Sequence, residues 1–200
     1  MGDLLLVRHG ETEWSASGRH TSFTDLPLTD RGEGQAASLA PLLSGRIYSL
    51  VLTSPLTRAR RTAELAGLTG AVTDPDLHEW NYGGYEGTRT DDIHLDRPGW
   101  DLWRDGVPPG PDHKGESPAE VGLRADRVLA RVGPALARGD GDVVLIAHAH
   151  LLRVLTARRL GLSPAEGRLF QLATGTVSRL STEHGRPVIA EWNTSPSARS

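Results

Sequence analysis

Asp142-Val143-Val144-Leu145-Ile146-Ala147-His148-Ala149-His150 sets five apolar residues in a row and ends them at a polar turn. A short unbroken apolar run of this kind reads as a strand covered on both faces. Leu151, Leu152, Val154 and Leu155 then follow as the start of a helix. A buried strand that feeds a helix is the unit of a parallel sheet with helices packed on it. The same pattern occurs twice more. Leu4-Leu5-Leu6-Val7 runs into Arg8-His9-Gly10-Glu11, and Leu50-Val51-Leu52-Thr53 runs into Ser54-Pro55. The expected class is therefore α/β with a mostly parallel central sheet.

Three helices link these strands. Thr29-Asp30-Arg31-Gly32-Glu33 opens one with apolar positions to Leu43. Ser54 as N-cap and Pro55 at the first helical position open a second, ending near Ala66. Ser117-Pro118-Ala119-Glu120 has the spacing of a capping box and starts a third. Short strands are expected at 71–73, 168–172, 176–180 and 188–192. Residues 12–29 read as loop, and residues 194–200 as a frayed tail. Residues 78–116, rich in glycine, proline and tryptophan, show no periodicity. A stretch of that length inside a compact fold is functional or partly helical, and here it is expected to cover an active site. The whole chain, residues 1–200, reads as one domain.

Composition removes several functions. Of 200 residues, 38% are hydrophobic and 24% charged, with a net charge of −3. That balance argues against nucleic-acid binding through bulk positive charge. There is no cysteine, hence no disulfide framework and no thiolate nucleophile. The apolar run Leu4–Val7 is too short for a signal segment or a membrane span, so a soluble cytoplasmic protein is expected. Twenty-one of the 22 basic residues are arginine, Lys114 being the single lysine. Gene base composition accounts for such a bias in bulk; the positions of individual arginines carry the information.

In parallel α/β folds, ligands bind beyond the carboxyl ends of the strands. Arg8-His9, Ser54 to Arg58, and His148 all fall at such ends. Arginine forks suit phosphate or carboxylate. A neutral imidazole is a competent nucleophile, and neighbouring cations keep it neutral. The same cations stabilise a phosphoryl group in transfer. Cleavage of a phosphoester also needs a proton for the departing oxygen. Glu79, within Leu77-His78-Glu79-Trp80-Asn81-Tyr82-Gly83-Gly84-Tyr85-Glu86-Gly87, is the best-placed acid, and enclosure under that segment would favour its neutral form.

These residues resemble the signature of the histidine phosphatase superfamily, the phosphoglycerate-mutase-like proteins. The blocks are Leu6-Val7-Arg8-His9-Gly10-Glu11-Thr12-Glu13-Trp14, Gly18-Arg19 with Leu26-Pro27-Leu28-Thr29, Thr53-Ser54-Pro55 with Arg58 to Ala63, Leu77-x-Glu79 with Tyr85-Glu86-Gly87, and Ala147-His148. Five blocks in one order are far more specific than a single Arg-His-Gly. The resemblance implies a three-layer α/β/α sandwich. It implies that His9 is the nucleophile that becomes phosphohistidine, that Arg8, Arg58 and His148 grip the phosphoryl group, and that Glu79 is first acid and then base. Thr21, Ser22 and the N–H of Ala149 would line the site, with Ser15 where the family often has asparagine. Trp80 and Tyr82 are further candidates for substrate contact. No cofactor is implied.

The text around Gly18 to Thr29, Glu79 to Gly83, Trp100-x-x-Trp103 and Gly115-Glu116-Ser117 is similar to the phosphatase branch that includes sedoheptulose-bisphosphatase and broad-specificity acid phosphatases. The implied reaction is hydrolysis of small phosphate esters, sugar phosphates or bisphosphates. Phosphoglycerate mutase is the alternative, and a phosphoryl-binding module without turnover is another. Plainer readings apply to other residues. Arg61 pairs with Glu64 on a helix face. His148 and His150 diverge at a strand end and so make no half metal site. Asp91-Asp92-x-His94 reads as a polar helix start, Trp14 as packing, and Glu86-Gly87 as a turn. His150 has no assigned role.

Overall fold

The computed structural model describes residues 1–196. Its strands are β1 (Leu4–Arg8), β2 (Tyr48–Thr53), β3 (Val72–Thr73), β4 (Asp142–Ala147), β5 (Val177–Glu183) and β6 (Arg186–Thr194). They form one sheet in the order β3-β2-β4-β1-β5-β6. The first four are mutually parallel, while β5 runs antiparallel to β1 and β6 to β5. The helices are α1 (Glu13–Ser17), α2 (Asp30–Ser38), α3 (Ala40–Leu43), α4 (Thr57–Leu65), α5 (Thr90–Asp96), α6 (Leu102–Asp105), α7 (Pro118–Arg138) and α8 (Ala149–Arg159).

Alternation along the strands divides the core in two. Leu4 and Leu6 of β1 and Val143 and Leu145 of β4 pack with Val121, Ala125 and Val128 of α7 and Leu151, Leu152 and Leu155 of α8. Leu5, Val7, Val144 and Ile146 face the other way, onto Leu39, Leu43, Ala59 and Ala63. A period of two sends neighbouring side chains to opposite faces. Helices therefore cover both faces, and the three-layer α/β/α sandwich is the fold. α7 starts on its capping box, with the Ser117 and Glu120 side chains each bonded to the other's backbone, and ends at Gly139 with φ 71°. Among the described residues no helix is long and apolar enough to cross a membrane.

This arrangement places the site. β1 and β4 are adjacent, with Arg8 in register with Ala147. The chain leaving β1 goes to the α2–α4 face, whereas the chain leaving β4 goes to the α8 face. Where adjacent parallel strands send their connections to opposite faces, a crevice opens at their carboxyl ends.

Several elements differ from the sequence-based expectation. Residues 12–29 include α1, capped by Thr12 and Ser15. The helix from Thr29 breaks at Leu39, because Pro41 cannot donate to Ala37 and the chain restarts as α3. The second helix begins at Thr57, with Leu56 as N-cap and no side-chain cap. The Ser54 hydroxyl lies against His148 instead, 2.8 Å from Nε2. No strand forms at 168–172; a 3₁₀ turn covers Pro164–Leu169. There Arg153 takes the carbonyls of Gly167 and Arg168, at 3.1 Å each, which a sheet would have used. Residues 78–116, by contrast, are partly helical as expected, through α5 and α6. Thr194 pairs with Val177 in β6 rather than fraying; residues 197–200 lie outside the described residues.

Candidate active site

β1 ends by delivering Arg8 and His9 to the crevice. The His9 N–H donates to Ala147 O at 3.1 Å, locking this end of β1 to β4. His9 Nδ1 lies 2.7 Å from Gly10 O. A carbonyl only accepts, so Nδ1 carries the hydrogen and Nε2 is left bare. The following turn is tightly packed. A Cβ added at Gly10 would stand 2.2 Å from the carbonyl oxygen of Gly32 in α2, so only glycine fits. Burial, then the charges of Arg58 and Arg8, hold the His9 imidazole well below its ordinary pKa. His9 is therefore neutral at pH 7 with a free ring nitrogen.

Two further groups stand behind His9. Arg58, in the first turn of α4, is buried. Its Nε donates to His148 Nδ1 at 3.3 Å. Its Nη atoms donate to the carbonyls of Thr24 (3.1 Å), Ser22 (3.0 Å) and Thr21 (3.3 Å). Since His148 Nδ1 accepts from Arg58, Nε2 carries the hydrogen and donates to Ser54 Oγ. Burial and then the Arg58 charge keep His148 neutral as well. The His9 and His148 rings meet edge-on at 5.0 Å. Arg8 bonds Leu172 O through Nη1, while its buried Nε has no partner.

Glu79 hangs from the first turn of α8. Oε1 accepts from the N–H groups of Trp80 and Leu151, both at 2.9 Å, and Oε2 from that of His150 at 3.1 Å. The carboxyl is buried as expected, but its immediate surroundings are polar. Arg124 and Glu116 position the strand of chain that carries it. Arg124 reaches Glu116 through Nε (3.0 Å) and Nη2 (2.8 Å), and donates to the carbonyls of Asp76 (2.9 Å), Glu79 (3.2 Å) and His78. Glu116 Oε2 in turn accepts from Asn81 N at 2.8 Å. Glu116 stands in the Gly115-Glu116-Ser117 stretch of the resemblance without a role, and Arg124 lies outside every block quoted for it. The spacing Glu116 to Arg124 on and before a helix is ordinary, and their burial depends on a distant loop.

A cavity of about 390 Å³ opens in front of these groups. Arg8, His9, Ser15, Thr21, Glu79, Tyr82 and Ala149 line it. Arg19, His20, Thr90, Trp100, Trp103 and His150 are also part of the wall. Arg58 and His148 lie one layer back. Neither therefore lines the cavity as a grip on the phosphoryl group would require, and two further expectations, Ser22 and Trp80, also differ on position. Ser22 is fully buried, its N–H bound by the Glu86 carboxylate at 2.8 Å, and it does not face the cavity. Trp80 is also fully buried, its indole N–H donating to Glu116 O at 2.9 Å, so it supports the floor rather than touching a ligand.

The plainer readings fare well. Arg61 bonds Glu64 at 3.4 Å, and also Glu33 at 2.9 Å. Trp14 packs on Gly87, where an added Cβ would come within 2.9 Å of its ring. Asp92 pairs with Arg89 at the start of α5. His148 and His150 do diverge. The first turns to Ser54 and Arg58, the second to Tyr82.

A family model described as "Histidine phosphatase superfamily (branch 1)" matches residues 4–195. An acid phosphatase of Mycobacterium tuberculosis is 40% identical over 185 residues, covering 91% of this chain and 87% of that one. A sedoheptulose 1,7-bisphosphatase of Saccharomyces cerevisiae is 36% identical over 188 residues, covering 79% and 67%. Among solved structures, an open-reading-frame product of Mycobacterium tuberculosis superposes with a TM-score of 0.90 at 37% identity, covering 98% of each chain.

Proposed function

This chain belongs to the histidine phosphatase superfamily, and from that premise we propose a metal-independent phosphomonoesterase that works through phosphohistidine on small cytoplasmic metabolites. Sugar phosphates and bisphosphates are the substrate class. The observation that carries the reading is the neutral His9 with a bare Nε2, set beside two arginines and across a cavity from Glu79.

The geometry supports the following steps. The phosphoryl group sits before His9, against Arg8 and the Ala149 N–H at the start of α8, where helix-end N–H groups favour an anion. His9 Nε2 attacks phosphorus, and the P–O bond to the alcohol breaks. Arg8, with Arg58 behind it, stabilises the charge on the moving phosphoryl oxygens. Glu79 hands a proton to the departing oxygen from Oε2, the oxygen with the single N–H partner. Water then attacks the phosphohistidine, Glu79 takes its proton, and the P–N bond breaks to release phosphate and restore His9. Arg58 and His148 act mainly through His9: the arginine charge keeps the ring neutral, and His148 fixes the arginine.

The test is turnover of sugar phosphates, phosphoglycerates and an aryl phosphate, with chelator present, by wild type and His9→Ala. Wild type should turn over and, after rapid quench, carry acid-labile, base-stable phosphate; His9→Ala should do neither. Full activity in His9→Ala refutes the nucleophile. Conversion of 3-phosphoglycerate only when primed by bisphosphoglycerate would instead identify a mutase.

A further inference from the structure

The His150 side chain has no part in the steps above, yet it lines the cavity. The backbone N–H already serves Glu79, so the side chain is free for another task. The ring is boxed by Trp103, Tyr82, Trp80 and His20, with centroids 5.2, 5.9, 6.3 and 6.4 Å away. Its Nδ1 hydrogen-bonds the Tyr82 hydroxyl. That is the hydroxyl's only protein partner among the described residues. Were Nδ1 the donor, the buried Tyr82 O–H would have no acceptor; with Tyr82 donating, both groups are satisfied. Nδ1 is then the acceptor and Nε2 carries the hydrogen. Nε2 has no protein partner, and it is not among the sealed, unpartnered atoms. It is reached through the cavity that His150 lines.

We propose that His150 is a specificity-determining residue whose Nε2–H, oriented by Tyr82, donates to a hydroxyl of the leaving alcohol and so selects polyol phosphates over plain alkyl phosphates. The wall beside it suits such a group. Trp100 and Trp103 offer apolar faces to carbon-bound hydrogens, while Thr90 offers a further hydroxyl. Burial keeps the His150 ring neutral, so it acts as a single directed donor and not as a second cation for phosphate. A site built around a buried donor discriminates against the analogue that leaves it unpaired.

This inference rests on the phosphomonoesterase reading, and one experiment separates the two. kcat/KM is measured on glycerol 3-phosphate, propyl phosphate and an aryl phosphate for wild type, His150→Phe, His150→Gln and Tyr82→Phe. Wild type should favour the glycerol ester over the propyl ester. His150→Phe keeps a ring and the backbone N–H to Glu79, and should lower that ratio about tenfold. His150→Gln places an amide N–H near the Nε2 position and should restore most of the ratio. Tyr82→Phe frees the tautomer and should lower it by a smaller factor. An unchanged ratio in His150→Phe, or an equal loss on both esters in every variant, overturns the inference alone. No turnover of any ester by wild type overturns the underlying reading and the inference with it.

Discussion

Replacing Arg124 by methionine removes the guanidinium that holds the Glu79 segment while keeping most of its length. Arg124 is 8% exposed, and its side chain and that of Glu116 are 10% and 12% exposed. The substitution leaves the Glu116 carboxylate buried without its cation and strips a donor from the carbonyls of Asp76, His78 and Glu79. Breaking a buried pair from one side costs about 3–5 kcal/mol. For a chain of this size each kcal/mol moves the midpoint by about 2–4 °C, so a fall of roughly 6–20 °C is expected. Thermal unfolding followed by circular dichroism measures it. The double variant Arg124→Met with Glu116→Gln removes the stranded charge and keeps an acceptor for Asn81 N. It should recover at least about 1 kcal/mol over the single variant, because the loss lies in the orphaned carboxylate. Assayed well below the new midpoint, the single variant should also lose kcat more than it raises KM, since Glu79 loses a support and the phosphate site does not. A single variant within about 1 kcal/mol of wild type, or a double variant no more stable than the single, would refute the clamp.

Three other outcomes follow from the same geometry. Glu79→Gln should slow alkyl esters by about 10²–10⁴-fold and aryl esters far less, since an aryl oxide leaves with little help; equal slowing removes Glu79 as proton donor. Burial pushes His20 and His78 down to about 4 from an ordinary 6.5, so the unfolded chain takes up protons that the fold refuses. Their stabilisation is whole above pH 6.5 and is lost as pH falls toward 4, at up to about 2.7 kcal/mol per pH unit for the two together. A urea midpoint no lower at pH 5 than at pH 7 contradicts this. Gly10→Ala forces the His9 turn off α2, where the Cβ would meet Gly32 O at 2.2 Å, and should cost activity out of proportion to stability; parallel losses in kcat and melting temperature point to general unfolding instead.

The strands that carry the chemistry were legible because their apolar runs are continuous and end abruptly. Arg8, His9 and Glu79 could be located from local text, and so could the Ser117 cap, whose partners are three residues apart. What local text hid was tertiary. Ser54-Pro55 has the chemistry of a helix start, yet the hydroxyl is drawn to His148, nearly a hundred residues away, and the helix begins later without a side-chain cap. Residues 168–172 look like a strand, but the carbonyls of Arg168 and Leu172 are taken by the side chains of Arg153 and Arg8. Ser22 and Trp80 sit in the right segments but point away from the cavity, because Glu86 and Glu116 claim them. Among the described residues, Arg8, Arg19, Arg58 and Arg153 stand around the site without a carboxylate ion pair, and strand-end position had marked Arg8 and Arg58 of these four.

Glu79 is fastened to the first turn of α8, and α8 follows the strand that neighbours β1. The proposed nucleophile, His9, and the proposed proton carrier, Glu79, are thus held by neighbouring strands of one sheet and the helix that follows. Tyr82 follows Glu79 by three residues, and Trp100 and Trp103 come much further along the same stretch, so the cover of the cavity and the proposed acid share one segment of chain. A change at Tyr82 therefore acts on the cavity wall and next to the acid at once, whereas Trp100 and Trp103 line the cavity without bonding the carboxylate, which the N–H groups of Trp80, His150 and Leu151 hold. The part of the cover that can change its fit to an alcohol without touching the mounting of Glu79 is the part that carries those two tryptophans.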